Sequence, residues 1–158
     1  MTTGKVKVKR LNVSEPMVGI SISDLPVHRR VREALCRVFS ENRINLTFLC
    51  ARQSTEREAV FGCVGASDLT VARQALEIIL PPSDHRVRII PSVSLLSVFP
   101  HQSDFRLVGH LLQALRDGRT GVHALASSIA ALTFVVDTDR IESAVDRLES
   151  LLEGQAGG

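Results

Sequence analysis

The sequence predicts an α+β protein made of two βαββαβ modules, each a four-stranded antiparallel sheet with two helices on one face. The first observation is an internal duplication: the apolar stripe of one helix recurs 76 positions later (107 − 31), at Val31/Leu107, Leu35/Leu111 and Phe39/Leu115. The second observation is that the second copy ends on a helix and lacks a final strand. The third is an unassigned N-terminal strand at 5–13. We expect this strand to complete the second module, so that each module has the ferredoxin-like arrangement and the two are interleaved in sequence.

The first half begins with an alternating strand, in which Lys5, Lys7 and Lys9 face one way and Val6 and Val8 the other. The lysines are typical of an edge strand protected from unwanted pairing. A helix is expected from about Val27 to Asn42, and a second one opens at Asp68 and stops at the prolines at 81 and 82. Further strands of this half are expected at 17–23, 45–51, 58–64 and 86–90.

The second half repeats this order. Strands are expected at 93–99, 122–127 and 131–137, a helix at 105–117, and a last helix from about Thr138, capped by Asp137 or Asp139. The expected domains are therefore 15–91 for the first module, and 92–153 together with strand 5–13 for the second. Residues 154–158 are expected to form a flexible tail.

The composition excludes several classes of function. The net charge of +2 indicates no strongly charged partner, and the 4% of aromatic residues leaves few rings for stacking nucleic-acid bases. The three cysteines lie in apolar runs and form no CxxC pair, so we expect buried, reduced thiols. The first residues lack an apolar signal core, and no run reaches the length of a membrane span. We expect a cytoplasmic protein that binds neither nucleic acid nor membrane.

No catalytic constellation is present in the sequence. It contains no glycine-rich phosphate loop, and its five histidines show no metal-ligand spacing. Ser127 and Ser128 have no partner base in the sequence pattern, and Asp137 and Asp139 are more typical of a helix cap than of a general acid or base. We expect a protein that is not an enzyme and has no cofactor and no metal.

Two stretches carry a resemblance to a known family. They are ALCRVFSENRINLTFL, from Ala34 to Leu49, and TGVHALASSIAALTFVVDTDRIESAVDRLESLL, from Thr120 to Leu152. Both resemble the regulatory ACT modules of aspartokinases, and the similarity extends over roughly residues 5 to 153. The resemblance implies a tandem ACT-domain protein like the C-terminal regulatory region, or the free regulatory subunit, of aspartokinase. It also implies the interleaved topology.

The resemblance further implies a ligand site at the turn between the first strand and the first helix. There, Asp24, Leu25 and Pro26 match the family's turn, and Val27 stands where the family has glycine and so blocks close approach of a ligand. The family's other polar positions correspond to Thr47, to Ala51, Arg52 and Gln53, and in the second module to Ser127 and Ser128.

Three hypotheses of function remain open. The first is a regulatory protein that binds a small effector such as an amino acid, a partner enzyme of amino-acid metabolism, or both. The second is an assembly module whose effector sites have degenerated. The third is a nucleic-acid binder on a ferredoxin-like sheet. A homodimer is expected under the first two, because the helices of the second module carry more apolar surface than one sheet covers.

Overall fold

The computed structural model describes residues 10–27, 30–81, 86–99 and 104–156. It divides into two compact units. One, here called the N-terminal module, comprises residues 16–93. The other, the C-terminal module, comprises the described residues up to Glu15 together with those from Ser94 onward. These limits lie close to the expected module boundaries, which remain a prediction about independent folding units.

The strands and helices follow the same order in both halves of the chain, as the duplication requires. Along the described residues they are β1 (Arg10–Val13), β2 (Met17–Pro26), α1 (Val31–Glu41), β3 (Leu46–Gln53), β4 (Arg57–Gly65), α2 (Leu69–Ile79), β5 (Val87–Phe99), α3 (Phe105–Asp117), β6 (Val122–Ser127), β7 (Leu132–Asp137) and α4 (Ile141–Ala156). Short 3₁₀ turns, Ala66–Asp68 and Thr138–Arg140, lead into α2 and α4.

The described strands form one seven-stranded sheet, to which each module contributes a four-stranded part that includes β5. In the N-terminal module the order is β3–β4–β2–β5, and in the C-terminal module it is β1–β5–β7–β6, so β5 gives its first half to one part and its second half to the other. β1 pairs antiparallel with β5, from Arg10 opposite Phe99 to Val13 opposite Leu96. The predicted fold class and its interleaved topology are confirmed, and residues 5–9 of the expected N-terminal strand lie outside the described part.

Each module packs its two helices on one face of its sheet. In the N-terminal module, the apolar stripe of α1 meets the inward residues of β2 and β4; its buried members are Val31, Leu35, Val38 and Phe39. In the C-terminal module the matching stripe of α3, Leu107, Leu111 and Leu115, packs with Phe134, Ala144 and Leu148. The helical spacing of the apolar residues thus produces the predicted burial. The same packing fixes the positions of the N-termini of α1 and α3.

The largest differences from the predicted bounds concern three elements. The strands expected at 86–90 and 93–99 form the single strand β5, because a register shift against β2 between Val93 and Ile90 accommodates Pro91, which has no N–H to donate. α1 begins at Val31 and not at Val27, since β2 continues through Pro26. α4 extends to Ala156, so residues 154–156 are helical where a flexible tail was expected.

Candidate functional site

The segment between β2 and α1 carries the candidate site of the N-terminal module. β2 contains a register shift against β4 between Ile22 and Leu25, and Asp24 adopts a left-handed conformation with φ of 57°. A bulge of this kind redirects the side chains of a strand end. Leu25 is fully buried in the core, whereas the Asp24 side chain is exposed. Of the expected turn residues, only Asp24 therefore presents a polar group to a ligand.

The turn of Asp24, Leu25, Pro26 and Val27 does not lie directly at a helix start, and its binding of a ligand stays a prediction. Asp24 to Pro26 belong to β2, and the helix begins only at Val31. The Val27 amide donates to the Glu56 carbonyl oxygen at 3.0 Å. Because this amide is already bonded, it is not free to donate to a ligand, whatever side chain stands at position 27.

The N-terminus of α1 is instead closed by a carboxylate from a distant strand. Arg30, which precedes the helix, has a φ of 49° and makes no side-chain cap. The Val31 amide donates to Oε1 of Glu58 at 2.9 Å, and Glu58 is only 3% exposed. The second carboxylate oxygen, Oε2, lies 3.7 Å from Nε of Arg32. Negative charge at a helix N-terminus is favourable because free N–H groups and the helix dipole both face it.

The alternation of β4 explains how Glu58 reaches this helix. Successive strand residues point to opposite faces, and Glu58 lies in phase with Val60 and Val64, which are buried in the core beneath α1 and α2. A carboxylate placed at the end of this inward row needs a hydrogen-bond donor and a cation to offset its desolvation. The Val31 amide and the Arg32 guanidinium supply them.

Beside this carboxylate lies a cavity of about 410 Å³, a size typical of small-molecule sites. It is lined by Ser23, Asp24, Arg52, Gln53, Ser54, Arg57, Glu58 and Ala59. Three of the predicted site residues, Asp24, Arg52 and Gln53, are thereby brought together. The cavity presents carboxylates, guanidinium groups and an amide side by side. This combination suits a ligand that carries a positive and a negative charge.

Hydrogen bonds and ion pairs hold the cavity wall in place. Nε of Arg57 lies 3.7 Å from Oδ1 of Asp24, and its Nη1 donates to the Asp24 carbonyl oxygen at 3.1 Å. Nη2 of Arg32 donates to Oε1 of Gln53 at 2.7 Å. Arg52 lies at the exposed end of β3 and faces the same cavity. The wall is thus tied to the carboxylate that closes α1, through Arg32.

The remaining predicted site residues lie elsewhere. Thr47 is exposed on β3 and does not line the cavity. In the C-terminal module, Ser127 ends β6 and Ser128 occupies the following turn, where its hydroxyl accepts from the Ala131 amide at 3.1 Å. The polar group of Ser128 therefore stabilises a tight turn, which is the usual role of serine in such a position.

The first helix of the C-terminal module is closed by a local cap. Oδ1 of Asp104 accepts from the Arg106 amide at 2.9 Å and from the Leu107 amide at 3.4 Å. Asp137, expected as a helix cap, makes no such bond, and its Oδ1 lies 2.6 Å from Nε2 of His123. Both modules thus place a protein carboxylate at the start of their first helix, although from different positions in the sequence.

Cysteine chemistry does not point to a reactive centre. Cys63 is fully buried, and burial raises the pKa of its thiol from 9.0 to about 12, which keeps it protonated and unreactive. Cys36 is exposed, so the expectation of three buried thiols is wrong there: it lies on the outer side of α1, between two core positions.

Within the described ranges, no three acidic, histidine or cysteine residues cluster as metal ligands would. None of the helices in those ranges has the length and apolar character of a membrane span.

The sequence pattern did not predict that Arg57 and Glu58 belong to the site. A signal for Glu58 was present, because an acidic residue in phase with Val60 and Val64 stands on the buried face of a predicted strand. Such a residue needs a partner, and the nearest positive end of a helix dipole is a natural one. No comparable signal marks Arg57, whose role depends on the bulge at Asp24.

Solved structures share this fold over nearly the whole chain. The regulatory subunit of aspartate kinase from Thermus thermophilus, in its ligand-free form, matches with a TM-score of 0.80 at 14% identity, covering 92% of this chain and 98% of that one. Aspartate kinase from Synechocystis matches with a TM-score of 0.81 at 17% identity, covering 96% of this chain and 28% of that one. E. coli aspartokinase III in complex with lysine and aspartate matches with a TM-score of 0.71 at 15% identity, covering 96% and 34%.

No protein-family model and no curated protein sequence matches this chain. The likeness to the solved structures is therefore one of fold, and it extends over the full length of a regulatory subunit. It confirms the architecture that the two resembling sequence stretches implied.

Proposed function

We propose that this chain is a non-catalytic regulatory protein of the ACT type, whose N-terminal module binds a small effector, an amino acid, in the cavity beside Glu58. The observation that carries this proposal is the combination of Arg52, Arg57 and Asp24 around one cavity. An amino acid carries a carboxylate and an ammonium group, and these side chains offer a partner to each. The fold supports the same class of function, since it is that of regulatory subunits of aspartate kinase.

A partner enzyme of amino-acid metabolism belongs to the same proposal. A regulatory protein without catalysis acts by binding its effector with different affinity in two states of a complex. The structure of E. coli aspartokinase III, which shares this fold, was solved with lysine and aspartate bound. Amino acids related to aspartate are therefore the first ligands to test.

The direct test is a thermal-shift screen of the purified chain with each of the twenty amino acids, followed by calorimetry. A ligand that binds only the folded state raises the melting temperature in proportion to the logarithm of its concentration. Arg52→Ala should abolish the shift, because it removes a cation from the cavity. Arg37→Ala is the matched control, since Arg37 is an exposed arginine of α1 that does not line the cavity. No shift with any amino acid, or an equal shift in both variants, would contradict effector binding at this cavity.

A homodimeric assembly module is the second candidate function. In the C-terminal module, the Phe105 side chain is 81% exposed and that of Ile129 is 89% exposed. An interface requires a contiguous apolar patch, and these two side chains are the positions at which to test for one. Sedimentation at micromolar concentration should give twice the chain mass of 17.3 kDa, and Phe105→Ser should shift the protein toward monomer. A monomeric wild-type protein at that concentration would exclude the dimer and leave the effector proposal intact.

A further inference from the structure

The start of α1 combines three features that are unusual together. The residue before the helix, Arg30, has a left-handed backbone and no capping side chain. The carboxylate that accepts from the Val31 amide comes from Glu58, 27 positions later in the chain. That carboxylate is buried, although glutamate is almost never fully buried unless it is paired. A helix N-terminus normally takes its cap from the adjacent residue, as α3 does from Asp104.

The geometry is that of an anion bound at a helix N-terminus. Backbone N–H groups at such an end point outward and, with the helix dipole, attract carboxylates and phosphates from solution. Here Oε1 of Glu58 takes the amide and Oε2 faces the guanidinium of Arg32, so that both oxygens of the carboxylate have a positive partner. A free carboxylate bound at this position would make the same two contacts.

We propose that Glu58 is a built-in anionic ligand of α1, which holds from within the position that a free carboxylate would otherwise occupy. The N-terminal module is consequently kept in the anion-bound arrangement at all times. It does not respond to an acidic ligand at the helix itself. If an amino acid binds the neighbouring cavity, which rests on the proposed function, its carboxylate is directed to Arg52 and Arg57, because the Val31 amide is already occupied.

The test is rescue of Glu58→Ala by acetate. The substitution removes the carboxylate and leaves a space beside the Val31 amide and Arg32. Sodium acetate titrated in place of sodium chloride at constant ionic strength should raise the melting temperature of this variant in a saturable manner. The expected rise is about 3–6 °C when acetate reaches ten times its dissociation constant. The wild-type protein should show a smaller rise, limited to any acetate that Arg52 and Arg57 bind, because its own carboxylate fills the position beside the Val31 amide.

Two variants serve as controls. Glu56→Ala removes the same charge from the exposed turn before β4, where the Glu56 carbonyl oxygen accepts from the Val27 amide, and should respond to acetate as the wild type does. Glu58→Gln keeps the size of the side chain and one acceptor oxygen, and it should fold without gaining an acetate response. An equal acetate response in wild type and Glu58→Ala would overturn the proposal, as would a Glu58→Ala variant as stable as wild type.

If Glu58→Ala does not fold, the Val31 amide gives the answer in Glu58→Gln. Loss of the charged acceptor should increase hydrogen exchange at Val31 at least about tenfold, since a hydrogen bond to a charged group is stronger than a neutral one by that order. The same amide should be unchanged in Glu56→Gln. An unchanged Val31 amide in Glu58→Gln would refute the assignment. The proposal is tested by the difference between Glu58→Ala and wild type, and acetate bound at Arg52 and Arg57 contributes to both proteins.

Discussion

The interleaved strand β1 should stabilise the C-terminal module, although it lies at the other end of the chain. Leu11 is partly buried against the core formed by α3, α4 and β7, and it stands opposite Val98 in the register with β5. Val13, in the same strand, is 40% exposed. Leu11→Ala should therefore be the more costly of two similar truncations.

The magnitude follows from the burial. Removing a fully buried leucine side chain to alanine costs about 2–5 kcal/mol, and a partly buried one roughly half of that. We expect Leu11→Ala to lower the free energy of unfolding by about 1–2 kcal/mol, and the melting temperature by roughly 2–8 °C for a chain of this length. Val13→Ala should cost about 0.5 kcal/mol or less, because much of its side chain already contacts water.

Hydrogen exchange followed residue by residue is the assay that locates the effect. Leu11→Ala should speed exchange in Leu132–Val136 of β7 and in α3, whereas Val13→Ala should change it little. Backbone amides of β3, in the N-terminal module, should keep their protection. Loss of protection in β3 with none in β7 would refute the assignment of β1 to the C-terminal module.

Three further predictions concern individual side chains. Alkylation at pH 8 should label Cys36 rapidly and leave Cys63 unmodified, because a pKa of about 12 leaves only about one Cys63 thiol in ten thousand as thiolate; labelling is read by mass spectrometry of the native protein. Thr120→Val should raise the free energy of unfolding by about 1 kcal/mol in urea titrations, since the buried Thr120 hydroxyl has no hydrogen-bond partner among the described residues. Val27→Gly should leave amino-acid binding, measured by calorimetry, unchanged, because the amide at position 27 is bonded to the Glu56 carbonyl oxygen in either case.

Much of the fold could be predicted because its signals are local. α3 spans Phe105–Asp117 and β6 spans Val122–Ser127, as the sequence pattern indicated, since an apolar stripe with a cap or a strand between turns needs only neighbouring residues. The missing final strand of the second copy also predicted that the N-terminal strand completes the second module. This prediction needs no knowledge of side-chain contacts, because the backbone N–H and C=O groups of every buried strand require hydrogen-bond partners.

The candidate site was harder to predict because its determinants are far apart in sequence. The start of α1 depends on Glu58, and the position of Asp24 depends on a bulge whose register is set by β4. The proline at 91 was misleading for a similar reason: a local rule ends the strand there, but the register shift against β2 lets β5 continue. Tertiary pairing thus overrides local propensity at each of these positions.

The pairing of β1 with β5 also has a consequence for synthesis on the ribosome. The Leu95 amide donates to the Ser14 hydroxyl across 81 residues of sequence. At elongation rates of about 5–20 residues per second, roughly 4–16 s pass between the emergence of the two partners. During that time the N-terminal module can form, while β1 has no neighbouring strand to pair with. The lysines at 5, 7 and 9 place charge in that waiting segment, which discourages pairing with other nascent chains. The speed of translation through residues 16–93 therefore sets how long the unpaired edge of β1 is accessible to other nascent chains on the same polysome.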